Sequence, residues 1–259
     1  MESLNVKINE TIVTAIKEFE AAGKTENFWK KPIIKIISAN DNNFESLKQT
    51  VSSSHLMPYD ILPDVKSIIC FFIPFHAHIV NSNMNGNMAS EKWALAYIKT
   101  NELILKINND IEILMEQNGY KTGKIPATHN FDKKTLKSGW SHRHIAYMAG
   151  IGTFGINNML ITEKGCCGRL GSILIDYELP VYENSGILNE KCLNKKNNSC
   201  GKCQKNCVAG AYTLNEFNRH KCYEQCIKNS EYHKNIGYAD VCGKCLAGLP
   251  CSTKEPQHI

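Results

Sequence analysis

The sequence predicts an α/β (α+β) domain over residues 1–186 followed by a small cysteine-rich domain over 187–259. Three observations carry that division. Residues 1–186 mix helical apolar spacing with short Ile, Val and Phe runs. Nine of the twelve cysteines lie between Cys192 and Cys251, and the net charge of +5 resides wholly from Cys192 onward, where ten basic side chains face five acidic ones. With 42% hydrophobic residues in 259, the chain has the apolar material for a packed core, which excludes disorder, collagen and coiled coil.

The elements follow in order. Leu4 to Ala22 sets Ile8, Ile12, Ile16 and Phe19 at helical spacing and stops at Gly23, so it predicts an amphipathic helix. Ile33–Ile37 and Val65–Ile73 are apolar runs bounded by Pro32 and Pro74, the pattern of buried strands, with Ser67–Ile73 mid-sheet. His76 to Asn87 is Asn-, Ser- and Gly-rich and predicts a loop, with His76 and His78 sharing a strand-like face at its start and no ligand role. From Ser90 the apolar positions Trp93, Tyr97, Ile104, Ile107, Ile111 and Leu114 predict a long helix that ends at Gly119. A polar connection leads to a helix over Ser141–Met148 with Ser141 at its N-cap, a glycine-punctuated loop, and strands over Asn158–Thr162 and Gly171–Tyr177.

The longest apolar stretch, Ser67–Phe75, is half the ~20 residues a membrane-spanning helix needs. The N-terminal MESLNVKINE carries charges where an export signal would be apolar. The expectation is a cytoplasmic protein away from membranes. Thiols there stay reduced, so the cysteines point to metal or cluster ligation rather than disulfides.

Their spacing narrows the chemistry. Two CxxC pairs, Cys200–Cys203 and Cys242–Cys245, would on their own suit zinc, because tetrahedral thiolate ligation needs chelating turns. Cys200, Cys203 and Cys207, however, follow the spacing of bacterial ferredoxins, in which the last cysteine of a run reaches across to the other cluster. Cys242, Cys245 and Cys251 form a second such group. Eight ligands would serve two 4Fe–4S clusters, each about −2 with its thiolates, and would neutralise about four of the tail's five positive charges. The tail then needs no polyanionic partner. Val208 stands where ferredoxins usually carry Pro, and Cys192 lies further upstream of Cys200 than their spacing requires.

Gly150-Ile-Gly-Thr-Phe-Gly155 satisfies the GxGxxG string, but a helix precedes it and a strand follows, so no helix N-terminus would face a phosphate. It reads as a tight loop. Cys70 reads as a small buried hydrophobe, and Cys166-Cys167 as part of a loop lining a pocket, with a cofactor-contacting thiol as the alternative. In Trp140-Ser141-His142-Arg143-His144, one histidine is expected to face a pocket walled by Trp140 and the glycine loop, acting there as acid or base. The alternative is a solvated helix start.

Two of these stretches together resemble a family, the cobalamin-dependent iron–sulfur epoxyqueuosine reductases and their relatives. Ala149-Gly-Ile-Gly-Thr-Phe-Gly-Ile-Asn-Asn-Met-Leu-Ile161 is similar to that family's AGLGWIGKNTxLI stretch, and the eight-cysteine tail follows it in the same order. The resemblance covers about the last half of the chain. It implies an N-terminal domain that holds base-off cobalamin and a C-terminal two-cluster ferredoxin-like domain that delivers electrons to it. One cluster would use Cys192, Cys200, Cys203 and Cys251, and the other Cys207, Cys222, Cys242 and Cys245. Cys226 would be spare, or exchange with Cys222. Gly152, Gly155 and Asn157, with Thr153, Phe154 and Asn158, match the cofactor-contacting loop.

The family's catalytic aspartate falls on Leu136 here, with Asp132 nearby but out of register. His142 or His144 is therefore the expected proton donor. The chain lacks the C-terminal helical repeats of members that act on tRNA, so the expected substrate is small or nucleoside-like rather than tRNA, with a ferredoxin or flavodoxin as electron donor. Two other functions compete with this one. An electron-transfer protein would dock an acidic partner at Lys195, Lys202 and Lys205. A zinc-stabilised nucleic-acid binder is disfavoured by the 20 basic and 20 acidic residues that balance ahead of Cys192.

Overall fold

A computed structural model describes residues 3–23, 25, 27–181, 189–212 and 216–257. The expected domain boundary at 186/187 lies outside the described residues. In chain order the helices and strands are α1 (Leu4–Ala22), β1 (Ile33–Ser38), α2 (Leu47–Thr50), α3 (Pro58–Ile61), β2 (Ser67–Pro74), α4 (Ala77–Ser82), α5 (Glu91–Gln117), β3 (Thr122–Lys124), α6 (His142–Met148), β4 (Gly152–Phe154), β5 (Leu160–Thr162), β6 (Gly168–Ile175), α7 (Leu193–Asn197), α8 (Lys202–Lys205) and α9 (Arg219–Tyr232).

Four strands form one sheet in the order β1-β2-β6-β3, and β4 and β5 form a separate hairpin. Every pairing is antiparallel, which makes the architecture α+β rather than α/β. β2 is buried along its whole length because helices cover both faces of the sheet. Its odd-numbered residues Ile69, Phe71 and Ile73 meet the Ile8, Ile12 and Ile16 stripe of α1 and Leu103, Ile104 and Ile107 of α5. Its even-numbered residues Ile68, Cys70 and Phe72 meet Trp140 and the Ile145–Ala146 side of α6. Cys70 is a core side chain, its thiol pushed up by burial.

The long helix begins where Ser90 caps it, its Oγ accepting from the backbone N–H of Trp93 at 3.1 Å. Elsewhere local order exceeds what the sequence pattern suggests. His76 occupies the N-cap position of α4 without a side-chain cap bond and His78 lies within the helix, so the two share a helix start and not a strand face, their rings 6.2 Å apart. Ser141 occupies the N-cap position of α6 but caps nothing with its side chain.

The cysteine-rich segment is built from α7, α8, α9 and connecting turns, and it docks on the first part of the chain both through apolar side chains, Leu246 and Ala247 in the main core and Ala239 against Ala94 and Tyr97, and through polar contacts. Lys244 is buried and its ammonium donates to the carbonyls of Asn83 at 3.0 Å and Asn85 at 2.6 Å. Asn83 donates to Cys242 O, Asn229 Oδ1 accepts from Ala89 N at 2.8 Å, and Lys30 Nζ reaches Thr253 O at 2.9 Å. Among the described residues, no helix is long and apolar enough to cross a membrane.

Candidate functional site

Between the sheet domain and the cysteine-rich segment lies a cavity of about 650 Å³. Phe154, Asn157, Asn158 and Met159 of the glycine loop line one side, and Thr128, Phe131, Leu136 and Ser138 of the loop before α6 line another. Tyr97 and Trp93 of α5 and Arg169 of β6 enter from the sheet domain. The cysteine-rich segment contributes Cys207, Cys222, Cys226, Cys242 and Cys245. A second, much smaller recess is lined by Cys192, Cys200, Cys203 and Cys251 together with Gly155 and Asn157.

The nine thiols of the tail therefore divide into a group of four and a group of five, and Asn157 touches both enclosures. Its Nδ2 donates to Cys245 O at 3.3 Å and its carbonyl accepts from Tyr212 Oη at 3.0 Å. The Cys203 thiol is pushed up to about 11, first by burial and then by the neighbouring Cys251, Cys192 and Cys200. Four thiols in one recess cannot all ionise without a cation to hold their charge, and together they form a donor set that could hold a metal or cluster. Among the described residues, no three His, Cys, Asp or Glu converge on a single-ion position. Within the five, Cys222 and Cys226 lie one helical turn apart on α9 and share a thiol hydrogen bond. Both line the cavity with Cys207, Cys242 and Cys245, and Cys226 also neighbours Asp240.

The geometry of the glycine loop explains its composition without a phosphate. Gly152 sits in β4 opposite β5, where a Cβ would fall 2.2 Å from the carbonyl oxygen of Ile161. Of the six loop residues matched to a cofactor-contacting role, Phe154, Asn157 and Asn158 line the cavity, and Gly155 lines the recess. Gly152 and Thr153 line neither. Thr153 Oγ1 instead accepts from Lys191 N at 3.0 Å and donates to Glu190.

The two histidines part company. His142 does not line the cavity. Its Nδ1 bonds Ser172 Oγ at 2.9 Å and its Nε2 bonds Pro126 O at 3.1 Å, so both ring nitrogens are committed inside the protein. His144 does line it, with Nδ1 against Ser141 Oγ at 2.7 Å and the ring 4.7 Å from Phe154. Burial, followed by the charge of Arg143, lowers its pKa to about 4. At neutral pH His144 is an uncharged imidazole that can donate a hydrogen bond but carries no spare proton. Trp140 does not wall the cavity. It is a core residue stacked on Phe44 and His55, with its indole N–H on Ser172 Oγ.

Leu136 lines the cavity at the place matched to the family's aspartate, with φ at +53°. Asp132 is spent on its own turn, accepting from the N–H groups of Lys134 and Thr135 and from Thr135 Oγ1. Cys166 and Cys167 line neither enclosure. Their backbone N–H groups clamp Cys251 O at 2.8 Å and Ser252 O at 3.0 Å, which holds the turn that carries Cys251.

Sequence reasoning missed the polar set opposite the thiols. Tyr97 Oη donates to Asp240 Oδ1 at 2.5 Å and contacts Thr128 Oγ1 at 3.1 Å, and the Arg169 guanidinium sits 4.4 Å over its ring. Burial pushes the phenol up to about 12 despite the nearby arginine. Asp240 is the one carboxylate on the cavity among the described residues, and its other oxygen meets His129 Nε2 at 3.1 Å. Arg143 Nη1 donates to Asn158 O and so ties α6 to the glycine loop. No local signal marks this set, because 143 residues separate Tyr97 from Asp240.

Neither a family model nor a curated protein sequence matches the chain. Solved structures do. Epoxyqueuosine reductase from Streptococcus thermophilus superimposes with a TM-score of 0.54 at 16% identity, over 94% of this chain and 68% of that one. The Bacillus subtilis enzyme gives 0.54 at 16% over 95% and 68%. A catabolic reductive dehalogenase reaches 0.60 at 15% over 86% of this chain but 30% of its own. A further reductive dehalogenase structure, at 0.58 and 16%, is described in terms of B12-dependent dehalogenation. The fold of this chain is the one that these epoxyqueuosine reductases and reductive dehalogenases share.

Proposed function

We propose that this protein is an iron–sulfur oxidoreductase that binds two 4Fe–4S clusters and reduces a small or nucleoside-like substrate in the cavity, with cobalamin as the cofactor there. The observation that carries the reading is the division of the tail thiols: four line the recess, and the others line the same cavity as Tyr97, Arg169 and His144. Cys192, Cys200, Cys203 and Cys251 would hold one cluster, and Cys207, Cys222, Cys242 and Cys245 the other, as tetrathiolate ligation requires. The likeness in fold to reductases, one of them described as B12-dependent, supports the same reading.

The cavity volume lies within the range of cofactor sites, and its mixture of amide and apolar lining suits a large amide-fringed ring. Phe154, Asn157, Asn158 and Met159 would hold it. Clusters supply single electrons and a reduced corrin supplies a strong reductant. The chain's own residues do the rest. Tyr97 offers a phenolic proton held by Asp240, and His144 and Arg143 offer N–H groups to an acceptor on the substrate. Leu136 and Phe131 keep that side of the cavity apolar. A high phenol pKa keeps the proton on Tyr97 until a strongly basic centre forms beside it. Lys202 and Lys205 stand exposed on α8, on either side of Cys203, where an acidic electron donor such as a ferredoxin or flavodoxin would meet them.

The test is anaerobic purification, metal and sulfide analysis, and absorption spectra before and after incubation with cobalamin. About eight iron per chain with cobalamin retained is the expected result. Zinc in place of iron overturns the reading. Iron without corrin uptake removes the cofactor assignment and leaves an electron-transfer protein.

A further inference from the structure

Trp93 lies on α5 and is only 3% exposed, yet its indole N–H finds no acceptor among the described residues. A buried donor left unpaired costs about 1–3 kcal/mol, so native proteins rarely leave one without a partner. The ring lines the cavity beside the second thiol group, and it is aligned edge-to-face with Phe75 at 5.5 Å. A second observation fixes what it faces. Gly243, inside the Cys242-Gly-Lys-Cys245 turn, has φ at +69°, and a Cβ built there would fall 2.3 Å from Cε2 and 2.5 Å from Nε1 of Trp93. The backbone between two thiols is thus laid against the indole, and any larger residue would push the two apart.

We propose that the Trp93 N–H is a hydrogen-bond donor to a sulfur atom of the cluster held by Cys207, Cys222, Cys242 and Cys245, and that it raises that cluster's reduction potential. The inference rests on the two-cluster reading above. Reduction adds negative charge to the cluster, a donor aimed at sulfur stabilises that added charge, and the reduced form gains relative to the oxidised one. Trp93 is a tuning residue and touches no reacting atom. Among the described residues, none that lines the recess carries an unpaired buried side-chain donor, so the indole would set the second cluster apart from the first.

The experiment begins with wild-type protein reconstituted anaerobically with iron and sulfide, titrated for midpoint potential by electron paramagnetic resonance. It is then examined in H2O and D2O for exchangeable protons coupled to each cluster. Trp93→Phe removes the N–H and keeps an aromatic ring against Phe75. The expected result is that one cluster titrates at a lower potential and loses one exchangeable coupling, while the other cluster is unmoved. Placing 3-benzothienylalanine at position 93, which replaces the N–H by sulfur in the same bicyclic shape, gives the same shift and decides the matter if the phenylalanine variant does not fold. Wild-type potentials in both variants, or a coupling that survives in Trp93→Phe, overturn the inference while leaving the two-cluster reading intact. A wild-type protein that takes up no iron overturns that reading first and the inference with it.

Discussion

At the scale of single residues, the cysteines were the most legible part of the chain, because chelating turns such as Cys200–Cys203 are written in contiguous sequence. The choice between Cys222 and Cys226 was open there, since helical neighbours four apart offer the same reach. Both thiols line the cavity with the other three, and the proposed ligand set takes Cys222. Cys226→Ser is therefore expected to retain full iron content, while Cys222→Ser loses about half, as read by metal analysis after anaerobic reconstitution. The histidines were less legible. Whether a helix start is solvated depends on what covers it, and the covering groups, Pro126 O and Ser172 Oγ, lie 16 and 30 residues away from His142. Its pKa falls from 6.5 to about 4 through burial, then through Arg169. A base whose folded pKa is depressed contributes stability above its unfolded pKa and loses it as pH falls. His142 therefore withdraws about 3 kcal/mol between pH 6.5 and 4. Urea midpoints measured across that window should drop steeply for the wild type and less steeply for His142→Asn.

At the scale of elements, α1, β1, β2 and α5 were readable because each buries a periodic apolar stripe or run. α9 was not, because its buried positions are Gln225, Asn229 and Ser230, of which Gln225 and Asn229 bond to the loop ahead of α5 instead of filling a core. Hydropathy cannot flag a helix that docks through amides. β3, three residues at a sheet edge, carries too little pattern to see. The cap on α5 offers a direct check. Ser90→Ala removes the bond to Trp93 N and is expected to cost about 1 kcal/mol, read as a lowered urea midpoint with an unchanged slope. Gly243→Ala is expected to do more damage than that, because a left-handed backbone position and the Trp93 ring both exclude a methyl group. Its measurable outcome is iron loss confined to the second group.

At the scale of the whole molecule, the sequence indicated two regions but not how they meet. It could not show that Tyr97 and Asp240, or Trp93 and Gly243, would face each other across one cavity. The cysteine-rich segment has few regular elements, so much of its order depends on its apolar and polar docking and on whatever its thiols bind. Chelating iron from the loaded protein should open residues 189–257 to limited proteolysis while the sheet with α1 and α5 stays resistant. Mass spectrometry of the fragments reads the outcome.

The wall shared by the two regions has one more consequence. A room with one side on each half cannot outlast the loss of either. On the proposed function, a nick between the regions followed by dissociation, or oxidation that expels a thiol-bound cluster and loosens the tail, would remove the electron supply and the substrate chamber together. Damage would then leave an inert protein rather than a leaky one that passes electrons to the wrong acceptor.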